Sequence, residues 1–431
     1  MKNEVSLLGV VLAGLLVATG TLWAFQRGGN DFGVFYHAWQ LVLEGRGAEI
    51  YHVSPDRFLY APGFAWLLAP IALLPKGVAL ALWCLAKAAV IGFIIREFPS
   101  KLTRESLPAL GLGAWGVVLL ARPLLIDFEY GQVNSFILGA CVWALLGHFD
   151  RSRPGFLDGL KWFALSVAAV AKIFPLPLLI VPWLSFLPWA RFKGDDSPIM
   201  RRRYRIERLG SALGVALVFL VPFFSEGGAG GWRLLQGWRM ALIARGLPLE
   251  SHNQSFTAFL YHFFSGRPTP VIAEGGAQLF FGFSSLSTDA IAWTSALWAV
   301  LSCGFLLYWI LRIREKGPLP WIAGAIGLLI IPSHLVWKPY FVMGIPAAML
   351  LLHRLGSSRL GLFGILFFFA FINLTGFDFI GHRWGAAFEA ASTLLWAHLL
   401  ILIFALGRMP ALFWRVMAGK SRDLGRRSPR P

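Results

Sequence analysis

The chain has 431 residues, of which 57% are hydrophobic and only 14% charged. Soluble domains carry about 25% charged residues, so the composition excludes an ordinary soluble protein and places the chain in the membrane class. The net charge of +17 does not indicate a nucleic-acid partner, because the bases punctuate apolar runs as topology signals do.

The first apolar run, residues 5–24, has no small-residue cleavage site after it and reads as a retained first helix. A span needs about 20 largely apolar residues, with a range of roughly 17–25. On that measure the candidate spans are 5–24, 77–95, 106–121, 132–149, 157–171, 172–190, 209–225, 287–311, 318–335, 339–353, 360–376 and 385–407. The expectation is therefore an all-α polytopic membrane protein of about twelve spans, forming one domain over 1–407 with a basic cytoplasmic tail at 408–431. One further stretch, "APGFAWLLAPIALL" (61–74), is too short and too rich in proline to cross; it reads as an interfacial or re-entrant helix in the first outer loop. Cys84, Cys141 and Cys303 all lie inside apolar runs, without disulfide or zinc spacing.

Charge bias orients this layout. With the N-terminus cytoplasmic and 61–74 not crossing, Lys and Arg number 26 on the inner loops and 11 on the outer ones. If 61–74 crossed, the counts would become 9 inside and 28 outside, against the positive-inside rule. The strongest marker is "RFKGDDSPIMRRRYRIER" (191–208), a cytoplasmic stop signal or an anionic-lipid site. Both termini are then cytoplasmic and the two large loops, 25–76 and 226–286, are outer. Six of the nine histidines also fall outside.

Polar groups set among apolar residues at one membrane boundary point to a lined cavity. In the first outer loop, Phe32, Phe35, Tyr36, Trp39 and Leu43 recur at helical spacing and predict an amphipathic helix over 32–45. Asp31 stands at its start, where a carboxylate can cap the helix or act as a base.

The outer segments resemble the C-type glycosyltransferase superfamily, and within it glycosyltransferase family eighty-seven, the polyprenyl-phosphate-mannose-dependent mannosyltransferases. The pieces that carry the resemblance come in order: Asp31 followed by "FYHAW", then "LEGRGAEIY" (43–51), "FLYAPGFAWLLAPIALLP" (58–75), "YGQVNSFIL" (130–138), "AKIFPLPLLI" (171–180) and "HNQSFTAFL" (252–260). The likeness spreads over about residues 5–345. Two features depart from the family pattern: Tyr60-Ala61-Pro62 replaces a Tyr-Pro-Pro, and Asn30 stands where many superfamily members have a second acid. Without a carboxylate pair, neither a metal nor any other cofactor is expected.

The resemblance implies an inverting transfer of a sugar from a polyprenyl-phosphate donor to an acceptor hydroxyl on a glycolipid, glycan or protein. Asp31 is then the general base. Arg122, Lys172, Lys338, Arg383 and His334 are candidates for the donor phosphate, or snorkelling anchors at helix ends. Tyr36, His37, Tyr60, Asp127, Glu129, Gln132, Asn134, His252, Asn253 and Gln254 are candidates for the acceptor or the sugar; for the amides, helix capping is the alternative. Asp127 or Glu129 could also hold a cation such as Arg122. The rival functions are a transporter or lipid flippase, against which stands the lack of an internal repeat, and a glycan ligase or polymerase using a lipid-diphosphate donor.

Overall fold

The computed structural model describes residues 2–52, 58–103, 106–150, 152–186, 197–246, 249–271, 278–312, 317–356 and 359–407. The basic tail 408–431 and residues 191–196 of the basic segment lie outside them. The protein is built of helices, with one short antiparallel pairing, Thr269–Pro270 with Gln278–Leu279, as its strand content among the described residues.

In chain order the helices are α1 (Lys2–Arg27), α2 (Asn30–Leu43), α3 (Pro62–Leu68), α4 (Lys76–Ser100), α5 (Ser106–Leu119), α6 (Ala121–Glu129), α7 (Asn134–His148), α8 (Phe156–Ala171), α9 (Pro198–Arg245), α10 (Phe256–Phe264), α11 (Thr288–Arg312), α12 (Pro318–Leu328), α13 (Ile345–Leu355), α14 (Arg359–Asn373), α15 (Phe377–Ala390) and α16 (Thr393–Leu406). Four are long and apolar enough to cross a membrane: those over Glu4–Arg27, Lys76–Ser100, Pro198–Arg245 and Thr288–Leu311. The α5–α6 and α14–α15 pairs, bent by 75° and 77°, bring the number to six if each is one broken span. Twelve crossings therefore do not follow from helix length.

Proline explains part of the difference. The expected span 172–190 is a 3-10 helix, Leu176–Phe186, containing Pro177 and Pro182, and 339–353 divides into a 3-10 helix, Lys338–Gly344, and α13. A proline removes a backbone donor and clashes with the preceding turn, so such stretches do not extend as regular α-helix. The expected span 209–225 lies within α9, which runs on to Arg245 across a non-helical residue, Gly227 (φ 71°). Much of the supposed outer loop 226–286 is therefore helix.

Small residues bring the helices together. A Cβ on Gly210 would stand 2.0 Å from the Gly159 carbonyl oxygen, and one on Gly63 would stand 1.9 Å from that of Val218. α8 and α3 therefore pack backbone to backbone on α9, the close approach typical of membrane helices. Elsewhere α1 lies along α5 and α6, and α4 along α5 and α7. Large apolar side chains face outward, among them Trp293 (77% exposed), Val300 (67%) and Phe363 (70%). Apolar exposure on this scale calls for a lipid environment.

Candidate active site

α1 ends in Gly28 and Gly29, both with positive φ (72° and 55°), a conformation that costs glycine little. The chain reverses there and enters α2 at Asn30, with Gly29 as N-cap and no side-chain cap. Asp31 is thus in the first turn and does not cap the helix, and the helix begins and ends two residues earlier than its expected 32–45. The Asp31 and Phe32 amides donate to the Tyr130 carbonyl at 3.0 and 3.1 Å. This ties the start of α2 to the α6–α7 turn. Gly131 (φ 64°) makes that contact possible, since a Cβ there would stand 2.6 Å from the Phe32 Cβ. Trp83 Nε1 donates to the Gly131 carbonyl at 2.9 Å and joins Phe32, Phe35 and Trp39 in an aromatic floor.

A polar network starts from Asp31. Gln132 Nε2 donates to Asp31 Oδ2. The other end of that amide, Oε1, accepts from Lys172 Nζ at 3.0 Å and from the Tyr60 hydroxyl at 3.5 Å. Two donors on one oxygen fix the amide with its NH2 group toward Asp31. Lys172 Nζ also donates to Asn134 Oδ1 at 2.9 Å and sits over the Tyr340 ring, 4.0 Å from its centroid. Asn134 Nδ2 and Ser135 Oγ donate to the two Asp127 carboxylate oxygens at 3.0 and 2.5 Å. Asp127 pairs at 2.9 Å with Lys87 Nζ, and both side chains are fully buried. Lys172 lies in the turn after α8, outside the helices. Its burial lowers its pKa to about 7, against the pull of the Asp31 and Asp127 carboxylates and in concert with the Lys87 charge.

A second cluster forms around Glu389 of α15. Arg122 Nη2 and Lys338 Nζ both meet Glu389 Oε1, at 2.7 and 2.5 Å. His252 Nδ1 lies 3.3 Å from Oε2. Burial, and then the Lys338 charge, lower the His252 pKa and favour the neutral ring. The Arg122 amide, at the start of α6 where α5 bends into it, donates to Asn373 Oδ1 at 2.8 Å.

The structure thus brings together Asp31, Tyr60, Asp127, Gln132, Asn134 and Lys172, and separately Arg122, Lys338 and His252. Glu129 is held by Arg27, not by Arg122. Asn253 and Gln254 are buried, and their amides bind backbone: Asn253 Oδ1 accepts from the Ser255 and Val336 amides, and Gln254 Nε2 donates to the Glu389 carbonyl. Their chemistry is used in holding loop 251–255 against the 334–336 segment. The Tyr36 hydroxyl donates to the Leu74 carbonyl at 2.8 Å. The His334 and Arg383 side chains are exposed; only the His334 carbonyl takes part, accepting from Asn253 and Ser255. His37 is half-buried on α2. Lys87, Ser135, Glu389 and Arg27 were missed as partners. For Lys87 and Glu389 the signal was present, since an ionisable residue inside an apolar run marks a functional candidate.

Among the described residues, no group of three His, Cys, Asp or Glu side chains is placed to hold a metal ion. An apolar groove of about 530 Å³ runs between α11, α12 and α16, lined by residues such as Trp298, Phe305, Trp309, Ile331 and Leu402. It contains no ionisable side chain and is remote in character from either polar cluster.

No curated protein matches the chain. The family model described as glycosyltransferase family 87 matches residues 58–336. That stretch contains Tyr60, Lys87, Arg122, Asp127, Gln132, Asn134 and Lys172, while Asp31 precedes it and Lys338 and Glu389 follow it. With well over half of its 431 residues inside the match, the chain belongs to glycosyltransferase family 87 and is a membrane glycosyltransferase.

Proposed function

We propose that the protein moves a hexose, mannose, from a polyprenyl-phosphate donor to an acceptor hydroxyl on a glycolipid, glycan or protein, with inversion at the anomeric carbon. The observation that carries this reading is the single amide linking a carboxylate to a cation: Gln132 donates to Asp31 and accepts from Lys172. Glycosyl transfer from a lipid phosphate needs both groups. As the acceptor oxygen attacks the anomeric carbon, Asp31 takes its proton. The bond from that carbon to the phosphate oxygen breaks on the opposite side, and the lipid phosphate leaves with its electron pair. Lys172 lies close to Asp31 and meets the charge that develops on the leaving oxygen. Tyr60, whose hydroxyl reaches Gln132 Oε1 at 3.5 Å, suits a sugar hydroxyl, while the buried Asn134 amide is taken up by Asp127 and Lys172.

The reading puts the site on the outer face of the plasma membrane, with both termini cytoplasmic and about twelve crossings. Support comes from the Lys and Arg asymmetry of the loops, and from the shorter apolar helices Asn134–His148, Pro318–Leu328 and Thr393–Leu406, which add to the long ones. Arg201, Arg202, Arg203 and Arg205 open α9; they belong to the basic segment that charge bias assigns to the cytoplasm.

The test is an assay of the purified full-length protein in nanodiscs, given polyprenyl-phosphate-mannose, polyprenyl-phosphate-glucose or a polyprenyl-diphosphate sugar together with candidate acceptors. Release of polyprenyl phosphate from the mannose donor is expected. Consumption of the diphosphate donor alone favours a ligase or polymerase. Movement of a solute or lipid across liposomes without loss of any lipid-linked sugar contradicts the reading.

A further inference from the structure

Lys87, like its partner Asp127, is fully buried in the site and has no part in the proton transfer itself. It projects from the middle of α4, a 25-residue apolar helix, and its side chain has no exposed surface. An uncompensated charge in that position would be costly. Its ammonium is held by one residue twice over, through the Asp127 carboxylate at 2.9 Å and the Asp127 backbone carbonyl at 2.5 Å, and lies 4.5 Å from the centroid of the Phe128 ring.

The Asp127 carboxylate is correspondingly full. It accepts from Asn134 Nδ2 on one oxygen, and from Ser135 Oγ and Lys87 on the other. Because Asn134 donates to Asp127, its carbonyl oxygen is turned the other way, toward Lys172. The orientation of Lys172 is therefore set two residues removed, by a carboxylate that Lys87 keeps in place.

We propose that Lys87 and Asp127 form a positioning pair that sets both the placement and the charge of Lys172, and neither touches substrate. This rests on the proposed role of Lys172 at the donor phosphate. The groups that face Lys172 are the Asp31 and Asp127 carboxylates, the Lys87 ammonium, the Gln132 and Asn134 amides, and the Tyr60 and Tyr340 rings. Lys87 opposes protonation of Lys172 and Asp127 favours it. Removing either charge must therefore move the Lys172 titration, and in opposite directions. A pair that merely held helices together would have no such signature.

The experiment measures the Kd of a polyprenyl phosphate for the full-length protein in phosphatidylcholine nanodiscs as a function of pH. The variant Lys172→Arg, which keeps its charge throughout, supplies the baseline for titration of the phosphate itself. Binding by the wild type should weaken, relative to that baseline, as pH rises through about 7. Lys87→Met should move this midpoint upward and Asp127→Asn should move it downward. Each shift should be about one pH unit, the size expected for a charge several Å away at an effective dielectric near 20. The double variant Lys87→Met/Asp127→Asn removes both charges and should return the midpoint near the wild-type value. If Lys87→Met does not fold, Asp127→Asn alone still tests the proposal through its predicted downward shift. Shifts of opposite sign support the proposal. No shift in a single variant that folds, or single-variant shifts of the same sign, would overturn it. If instead Lys172→Arg and the wild type share one pH profile, the assignment of Lys172 to the phosphate fails, a result distinguishable from failure of the pair alone.

Discussion

α7 has a buried ionic network at each end, and the two differ in kind. At its His148 end, the His148 ring meets Glu207 at 2.8 Å, while Arg203 approaches Asp158 at 3.7 Å and donates to the Gly147 and Ser152 carbonyls. Arg203 and Glu207 have no exposed surface, and the partners come from α7, α8, α9 and the connection just after α7. At its Asn134 end, roughly 22 Å away by helix rise, the network of Asp31, Gln132, Lys172 and Asn134 draws on α2, the α6–α7 turn and the turn after α8. There Asp31 and Lys172 stay partly exposed. Burial of charge is common to both ends and so does not mark a site. What distinguishes the Asn134 end is that its groups come from chain reversals and that Asp31 and Lys172 keep some exposure, while those at the His148 end close on one another between packed helices.

Several measurements would break or sharpen that contrast. The largest effect is expected at the closed end. Arg203→Met leaves the Gly147 and Ser152 carbonyls without their donor and takes the fully buried cation from beside Asp158, and breaking a buried pair costs about 3–5 kcal/mol. Denaturant or thermal unfolding in detergent should report this loss, while the fraction that remains folded keeps its kcat. A kcat that falls in step with stability would erase the contrast. At the open end, Lys172→Met should leave unfolding nearly unchanged and lower kcat by roughly 10²–10³, the usual cost of one oxyanion partner.

A pH profile refines this. Burial lowers the Lys172 pKa to about 7, so the charged form that its proposed role at the leaving phosphate requires is present below that pH and is lost above it. kcat/KM should therefore fall on the alkaline side of about pH 7 in the wild type. In Lys172→Arg that limb should move well above the range. An unmoved limb assigns the titration to another group. The smallest effect is expected at Tyr36, whose hydroxyl bonds the Leu74 carbonyl. Tyr36→Phe should cost about 1 kcal/mol of stability and leave donor KM unchanged; a raised KM would return Tyr36 to the substrate site.

Much of the candidate site is legible in the amino-acid sequence because polar residues among apolar ones are conspicuous. Asp31, Gln132, Asn134 and Lys172 stand out in separate segments, and the fold brings their side chains together. Two kinds of information were not legible. A hydropathy count registers length but not direction, so the bends at Leu120 and after Asn373, and the 3-10 path through Pro177 and Pro182, were absorbed into straight spans. Pairing was equally hidden. Which carboxylate answers Arg122 depends on α15 bringing Glu389 to the start of α6, and in the sequence Glu389 lies inside the apolar run 385–407. Asn253 and Gln254 show the converse: their amides look suited to sugars, and they are occupied by backbone groups that only the folded loop supplies.

Whether Asp31 removes the acceptor proton is tested by Asp31→Asn. The substitution preserves size and a hydrogen-bonding side chain opposite Gln132 but abolishes the base. In nanodiscs preloaded with polyprenyl-phosphate-mannose, single-turnover transfer to an acceptor should slow by about 10²–10⁴, with donor Kd within a few-fold of wild type. Transfer at near the wild-type rate would contradict the claim.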